Sequence, residues 1–88
     1  MDIIEKRRKK REEIINKITE ALNKLLNQYG KDGLRLTFKS MLISIEANFR
    51  CSTRTASEYA NVALYKANLL KSDLPYKDSN YTMRLEIE

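Results

Sequence analysis

The sequence predicts a mainly α-helical domain closed by a small β-hairpin. Three observations predict it. Apolar residues recur in three- and four-residue steps along a long amino-terminal segment. Two shorter segments with the same period flank a break of a few residues. The last eight residues switch to strict alternation. With 88 residues and 42% apolar composition, the chain suits one domain with one modest core.

Residues 2–29 read as a single helix. Asp2 and Glu5 have capping-box spacing at its start. The apolar stripe runs Ile14, Ile15, Ile18, Leu22, Leu25, Leu26 and Tyr29, so one face is buried. Residues 1–13 form a charged extension ahead of that stripe. Glu5 with Lys9, Glu13 with Lys17 and Glu20 with Lys24 are spaced to pair along the helix surface. Gly30 is a stop, and Gly30 to Gly33 is a turn. Leu34-Arg35-Leu36 alternates and is long enough only for a short strand.

Thr37 can cap a second helix, Phe38 to Asn48, whose inward face is Phe38, Met41 or Leu42, Ile45 and Phe49. After a break at Arg50-Cys51, Ser52 caps a third helix, Thr53 to Leu70. Its stripe is Ala56, Tyr59, Ala60, Ala63, Ala67 and Leu70. The alanines let a neighbouring helix cross closely. Residues 74–77 read as an edge strand limited by Pro75, Asp78-Ser79-Asn80 as a turn, and residues 81–88 as a half-buried strand. The expected order is helix, strand, helix, helix, strand, strand.

Composition removes most chemistry. The chain has no His and a single Cys. The commonest general base and metal ligand is therefore missing, and an internal disulfide or Cys-rich zinc site cannot form. No acid–base pair, phosphate loop or metal-ligand cluster is visible, so an enzyme is not expected, nor a cofactor, a metal or a small-molecule ligand. No apolar run approaches the ~20 residues of a membrane span. The charged amino terminus lacks a signal-peptide pattern. The expected compartment is the cytoplasm. Seventeen Lys and Arg against twelve Asp and Glu leave a net +5, which points to an acidic partner, nucleic acid first.

That excess is uneven. The net charge is +3 over residues 1–29, +2 over 30–51, +1 over 52–70 and −1 over 71–88. It favours DNA contact through the helical part and disfavours a mode led by the hairpin.

Two helices joined by a tight break, the second opening on exposed polar residues, form a helix-turn-helix candidate. Here the chain resembles winged helix-turn-helix DNA-binding proteins. The resemblance covers about residues 14–88. It is carried by Thr37-Phe38-Lys39, Phe49-Arg50-Cys51-Ser52, Ser52-Thr53-Arg54-Thr55-Ala56 with Glu58-Tyr59, and the closing hairpin. In size and layout it is similar to small basic regulators of archaea and their viruses and plasmids. The resemblance implies a recognition helix in the major groove, a hairpin wing near phosphate or the minor groove, and frequent dimers.

Two departures stand out. The family's turn often carries Gly where Arg50 stands. A left-handed backbone there costs a non-Gly residue roughly 1 kcal/mol, which leaves another turn geometry open. The expected wing is acidic on balance, so the hairpin reads as structural, with Lys77 the one contact near its tip.

The best site is the third helix. Arg54 can grip guanine or a phosphate, Asn61 can pair with adenine, and Ser57 can contact several bases, with Ser52 and Thr53 beside them. A solvated helix face is the bland alternative. Thr37, Lys39 and Ser40 are placed for phosphate, or for ordinary capping. In the basic run Lys6 to Arg11, Arg7, Lys10 and Arg11 are auxiliary phosphate contacts, or a solvated end. Ile15, Ile18, Leu22, Leu25 and Tyr29 follow a 3-4 alternation and serve either the core or a homodimer seam. Cys51 reads as a small packed hydrophobe.

The expected function is a sequence-specific double-stranded DNA-binding protein, a transcriptional regulator acting as a homodimer. The alternative is a winged-helix protein-interaction module without DNA contact.

Overall fold

The computed structural model describes residues 3–75 and 83–88. Three α-helices make up most of it: α1 (Ile3–Tyr29), α2 (Phe38–Phe49) and α3 (Thr53–Lys66). A single 3-10 turn, Lys71–Asp73, follows.

The helix α3 is the centre of the fold and packs against both α1 and α2. Its buried face is almost all alanine: Ala56, Ala60 and Ala63 are fully buried, with Ala67 close to it. Small side chains bring the helix axes close, and larger residues on the facing helices fill the core. Ile18 and Leu22 of α1, Met41 and Ile45 of α2, and Leu36 between them are also fully buried. Each buried aliphatic side chain contributes roughly 1.5–3 kcal/mol.

Local chemistry sets the helix ends. Gly30 takes φ +74 and its N–H donates to the Leu26 carbonyl at 2.8 Å, which closes α1. Gly33 lies so close to the end of α1 that a Cβ there would clash with the Tyr29 carbonyl oxygen. Thr37 caps α2, its hydroxyl accepting from the Ser40 N–H at 3.1 Å. Ser52 caps α3 by accepting from the Thr55 N–H at 3.2 Å.

The third helix stops four residues before the expected Leu70. Asn68 turns left-handed at φ 59, the Leu69 N–H donates to Leu64 O at 2.9 Å, and the Asn68 N–H donates to Tyr65 O at 3.1 Å. This is a Schellman end with Asn in the glycine position, and Leu69 and Leu64 are its buried apolar pair. Leu70, expected in the stripe, is instead 67% exposed. Asp73 holds the segment beyond it: its carboxylate accepts from the Leu70 N–H at 2.7 Å and lies 3.4 Å from Lys31 Nζ. The Leu70 hydrogen bond, helped by Lys31, lowers the Asp73 pKa below its ordinary value.

The expected winged fold is not formed. Among the described residues there is no strand and no sheet. Leu34-Arg35-Leu36 buries both leucines as the alternation requires, but it is extended chain without a ladder. Residues 83–88 also alternate as expected: Leu85 is buried, Met83 and Ile87 are half-buried, and Arg84, Glu86 and Glu88 face outward. A single backbone bond, Met83 N–H to Arg35 O at 3.2 Å, joins the two segments. The Met83 carbonyl is taken by the Ser40 hydroxyl at 2.9 Å, and Lys24 meets Glu88 at 3.0 Å. The tail is thus pinned by side chains to α1 and α2 and joins no sheet. The expected hairpin turn, with Tyr76, Lys77 and Tyr81, lies outside the described residues.

Candidate nucleic-acid interface

Residues 50–52 carry α2 into α3. Arg50 adopts φ 49, ψ 52, and its N–H donates to Glu46 O at 2.8 Å. The left-handed turn therefore forms without glycine. Three residues separate the two helices, and the Ser52 cap starts α3 at once. The Ser52 hydroxyl also donates to Thr55 Oγ1 at 3.1 Å.

The outer face of α3 follows from its buried face. With Ala56, Ala60 and Ala63 turned inward, Arg54, Glu58, Asn61 and Tyr65 line the outside in three- and four-residue steps, all exposed. Ser57 is half-buried at the edge of that stripe. No ion pair forms between Arg54 and Glu58, and among the described residues Arg54 has no carboxylate partner. The guanidinium is therefore available. Tyr65 is 82% exposed.

The second helix contributes a basic corner. Lys39 is exposed on its first turn. Lys71 lies beside it, its ammonium 4.2 Å from the centre of the Phe38 ring. Both lysines line a depression of about 550 Å³ with Thr37 and Pro75. Lys71 carries no sequence signal, because only the chain reversal after α3 brings it to α2.

Several expected contacts are placed elsewhere. Thr37 is 3% exposed and its hydroxyl serves the cap of α2. Ser40 is half-buried and holds the tail through Met83. Thr53 is exposed, but its hydroxyl donates to the Glu46 carboxylate. Glu46 was not singled out by the sequence: seven residues separate it from Thr53, and only the tight turn joins them. It places a negative charge beside the first turn of α3. Burial raises the Cys51 thiol above its ordinary pKa, and Glu46 adds to that shift. Cys51 is half-buried against the core, as expected of a small hydrophobe.

The expected dimer seam is also redistributed. Ile15, Ile18 and Leu22 are buried within the chain's own fold, Ile18 and Leu22 in the core that α3 lines with Ala56, Ala60, Ala63 and Leu64. A seam through them would open that core. Leu25 is half-buried, and Tyr29 is 47% exposed. Arg7, Lys10 and Arg11 are exposed on the charged extension, and Lys77 lies outside the described residues.

The candidate residues that remain accessible are Lys39 and Lys71 at one corner, Ser52 and Arg54 at the start of α3, and Ser57, Asn61 and Tyr65 along it. This set is the candidate surface. It offers cations, hydroxyls, an amide and a phenol, the donor types that grip phosphates and base edges. Among the described residues no cluster of metal-ligating side chains occurs, and no helix is long and apolar enough to cross a membrane. No family model, no curated protein and no solved structure matches the chain.

Proposed function

We propose that this chain binds double-stranded DNA through α2 and α3, with the first turns of α3 in the major groove. The observation that carries the reading is the three-residue turn, left-handed at Arg50, which leads into a capped helix with an exposed polar outer face. Arg54 and Asn61 are the base-reading residues, with Ser57 at the edge. Lys39 and Lys71 are the phosphate-holding pair. The biological role that fits is regulation of transcription. Homodimerisation belongs to the same reading, through the surface left by Leu25 and Tyr29. Light scattering at high micromolar concentration should show a dimer, and a monomer there removes that part.

Selection of bound duplexes from a random pool tests the reading. A recurrent motif is expected. Arg54→Ala and Asn61→Ala should each lose about 1–3 kcal/mol of discrimination at particular base pairs. Lys39→Ala should weaken all sequences alike. A protein that retains no duplex at low salt contradicts the reading.

A second reading has its own observation. Ile43 is 57% exposed on α2, and Tyr65 and Leu70 are exposed beyond it. Apolar side chains on the outer surface suit a protein-interaction module without DNA contact. Duplex titration at 50 mM salt or below separates the two, since a DNA binder shows at least micromolar non-specific affinity.

A further inference from the structure

The helix α1 continues well past the body it packs against. Residues 6–13 are all exposed, while burial begins only at Ile14 and Ile15. At 1.5 Å per residue, Lys6 lies about 15 Å beyond Asn16 along the axis. Asn16 marks the edge of the body: its Oδ1 accepts from Lys66 Nζ, at the last residue of α3, at 3.3 Å. The basic run therefore leaves the body beside the end of α3. The start of α3, where Arg54 sits, is about 20 Å away along that helix. The run and Arg54 therefore lie toward opposite ends of α3.

The run is an unfavourable helix left to itself. Lys6 faces Lys10, and Arg7 faces Arg11, one turn apart, and each like-charge pair costs a few tenths of a kcal/mol. The cations crowd the amino-terminal end of the helix, where the peptide dipoles favour anions. Glu12 and Glu13 form no ion pair with the run. A polyanion would remove this repulsion.

The shape of the charge selects the polyanion. At about 100° per residue, six consecutive cations leave no arc wider than about 100° uncharged. A helix lying on one phosphate backbone, or on a membrane, would use a single stripe. This one suits a channel with phosphate on both walls. A helix is about 10–12 Å across and the major groove of duplex DNA about 12 Å wide.

We infer that the basic end of α1 is a second duplex-DNA element, lying lengthwise in a major groove apart from the one read by α3. It binds without regard to sequence. The inference borrows from the proposed function only the choice of duplex DNA as the polyanion.

The test compares the parent chain with a variant carrying Gln at positions 6 to 11 and with the double variant Arg54→Ala, Asn61→Ala. Binding to a random 30-base-pair duplex is followed by anisotropy between 50 and 200 mM salt, with circular dichroism confirming the fold. Each phosphate contact contributes about 3–4-fold to the affinity lost over that range. The Gln variant should lose at least ~10-fold less affinity with salt than the parent, and roughly 10²-fold less if four contacts are made. The double variant should keep the parent's salt dependence, and a major-groove dye, not a minor-groove ligand, should displace it.

If the Gln variant keeps the parent's salt dependence, the second element is wrong and the α3 reading stands. Displacement by the minor-groove ligand alone overturns the groove placement. Loss of all duplex binding in the Gln variant, with none in the double variant, upholds the second element and removes the α3 reading. A parent that binds anionic vesicles and no duplex overturns both.

Discussion

The two parts of α1 share one continuous helix and almost nothing else. From Ile14 onward, apolar residues fall on one face, and Ile18 and Leu22 reach full burial against α3. From Lys6 to Glu13 every residue is exposed. The difference lies in the pattern. Three- and four-residue spacing of aliphatics gives a helix a face to bury, whereas six consecutive cations give it no face. The packed part holds the fold together, and the projecting part packs against nothing in the described body.

The comparison predicts that stability tracks packing and ignores charge. Leu22→Ala should cost about 2–5 kcal/mol in urea denaturation, because the alanine face of α3 cannot move in to fill the space. Lys9→Ala, on the same helix, should stay within about 0.5 kcal/mol. Equal costs would break the contrast. Ser52→Ala should lose about 0.5–2 kcal/mol although Ser52 is exposed, since an orphan amide of α3 loses its partner. That result would extend the sensitive class from burial to capping. Arg50→Gly should gain up to about 1 kcal/mol by relieving the left-handed backbone, read as a raised denaturation midpoint.

The smallest effect concerns pH. The folded-state pKa of Asp73 lies below its ordinary 3.8. Its contribution is therefore complete above the unfolded value and is lost as pH falls through the folded one. Asp73→Asn should lower the melting temperature slightly at neutral pH, where the contribution is complete, and flatten the acid limb of the melting curve below about pH 4. An unchanged acid limb would show that the Leu70 amide does not hold this carboxylate in solution.

How much of this was legible in the sequence depended on range. Caps were legible because their chemistry is local: Gly30, Thr37 and Ser52 each bond within four residues. Burial was legible as well, including the alternation of residues 83–88. Pairing was not. Alternation requires an extended chain with one apolar side, and it says nothing of what the backbone bonds to. Here a serine hydroxyl took the Met83 carbonyl where a strand was expected. The end of α3 falls short of the expected Leu70 because Asn68 turns left-handed and Leu69 reaches the core, a contact that local composition does not encode. At the site, Arg54 and Asn61 followed from the helix face. Lys71 and Glu46 did not, since turns in the chain place both.

Amide chemical-shift mapping while a selected duplex is added tests whether α3 reads DNA. The largest shifts should run from Ser52 to Asn61, with Lys39 and Lys71 following and Leu85 unmoved. Shifts confined to residues 6–13, or none at all, would contradict that reading.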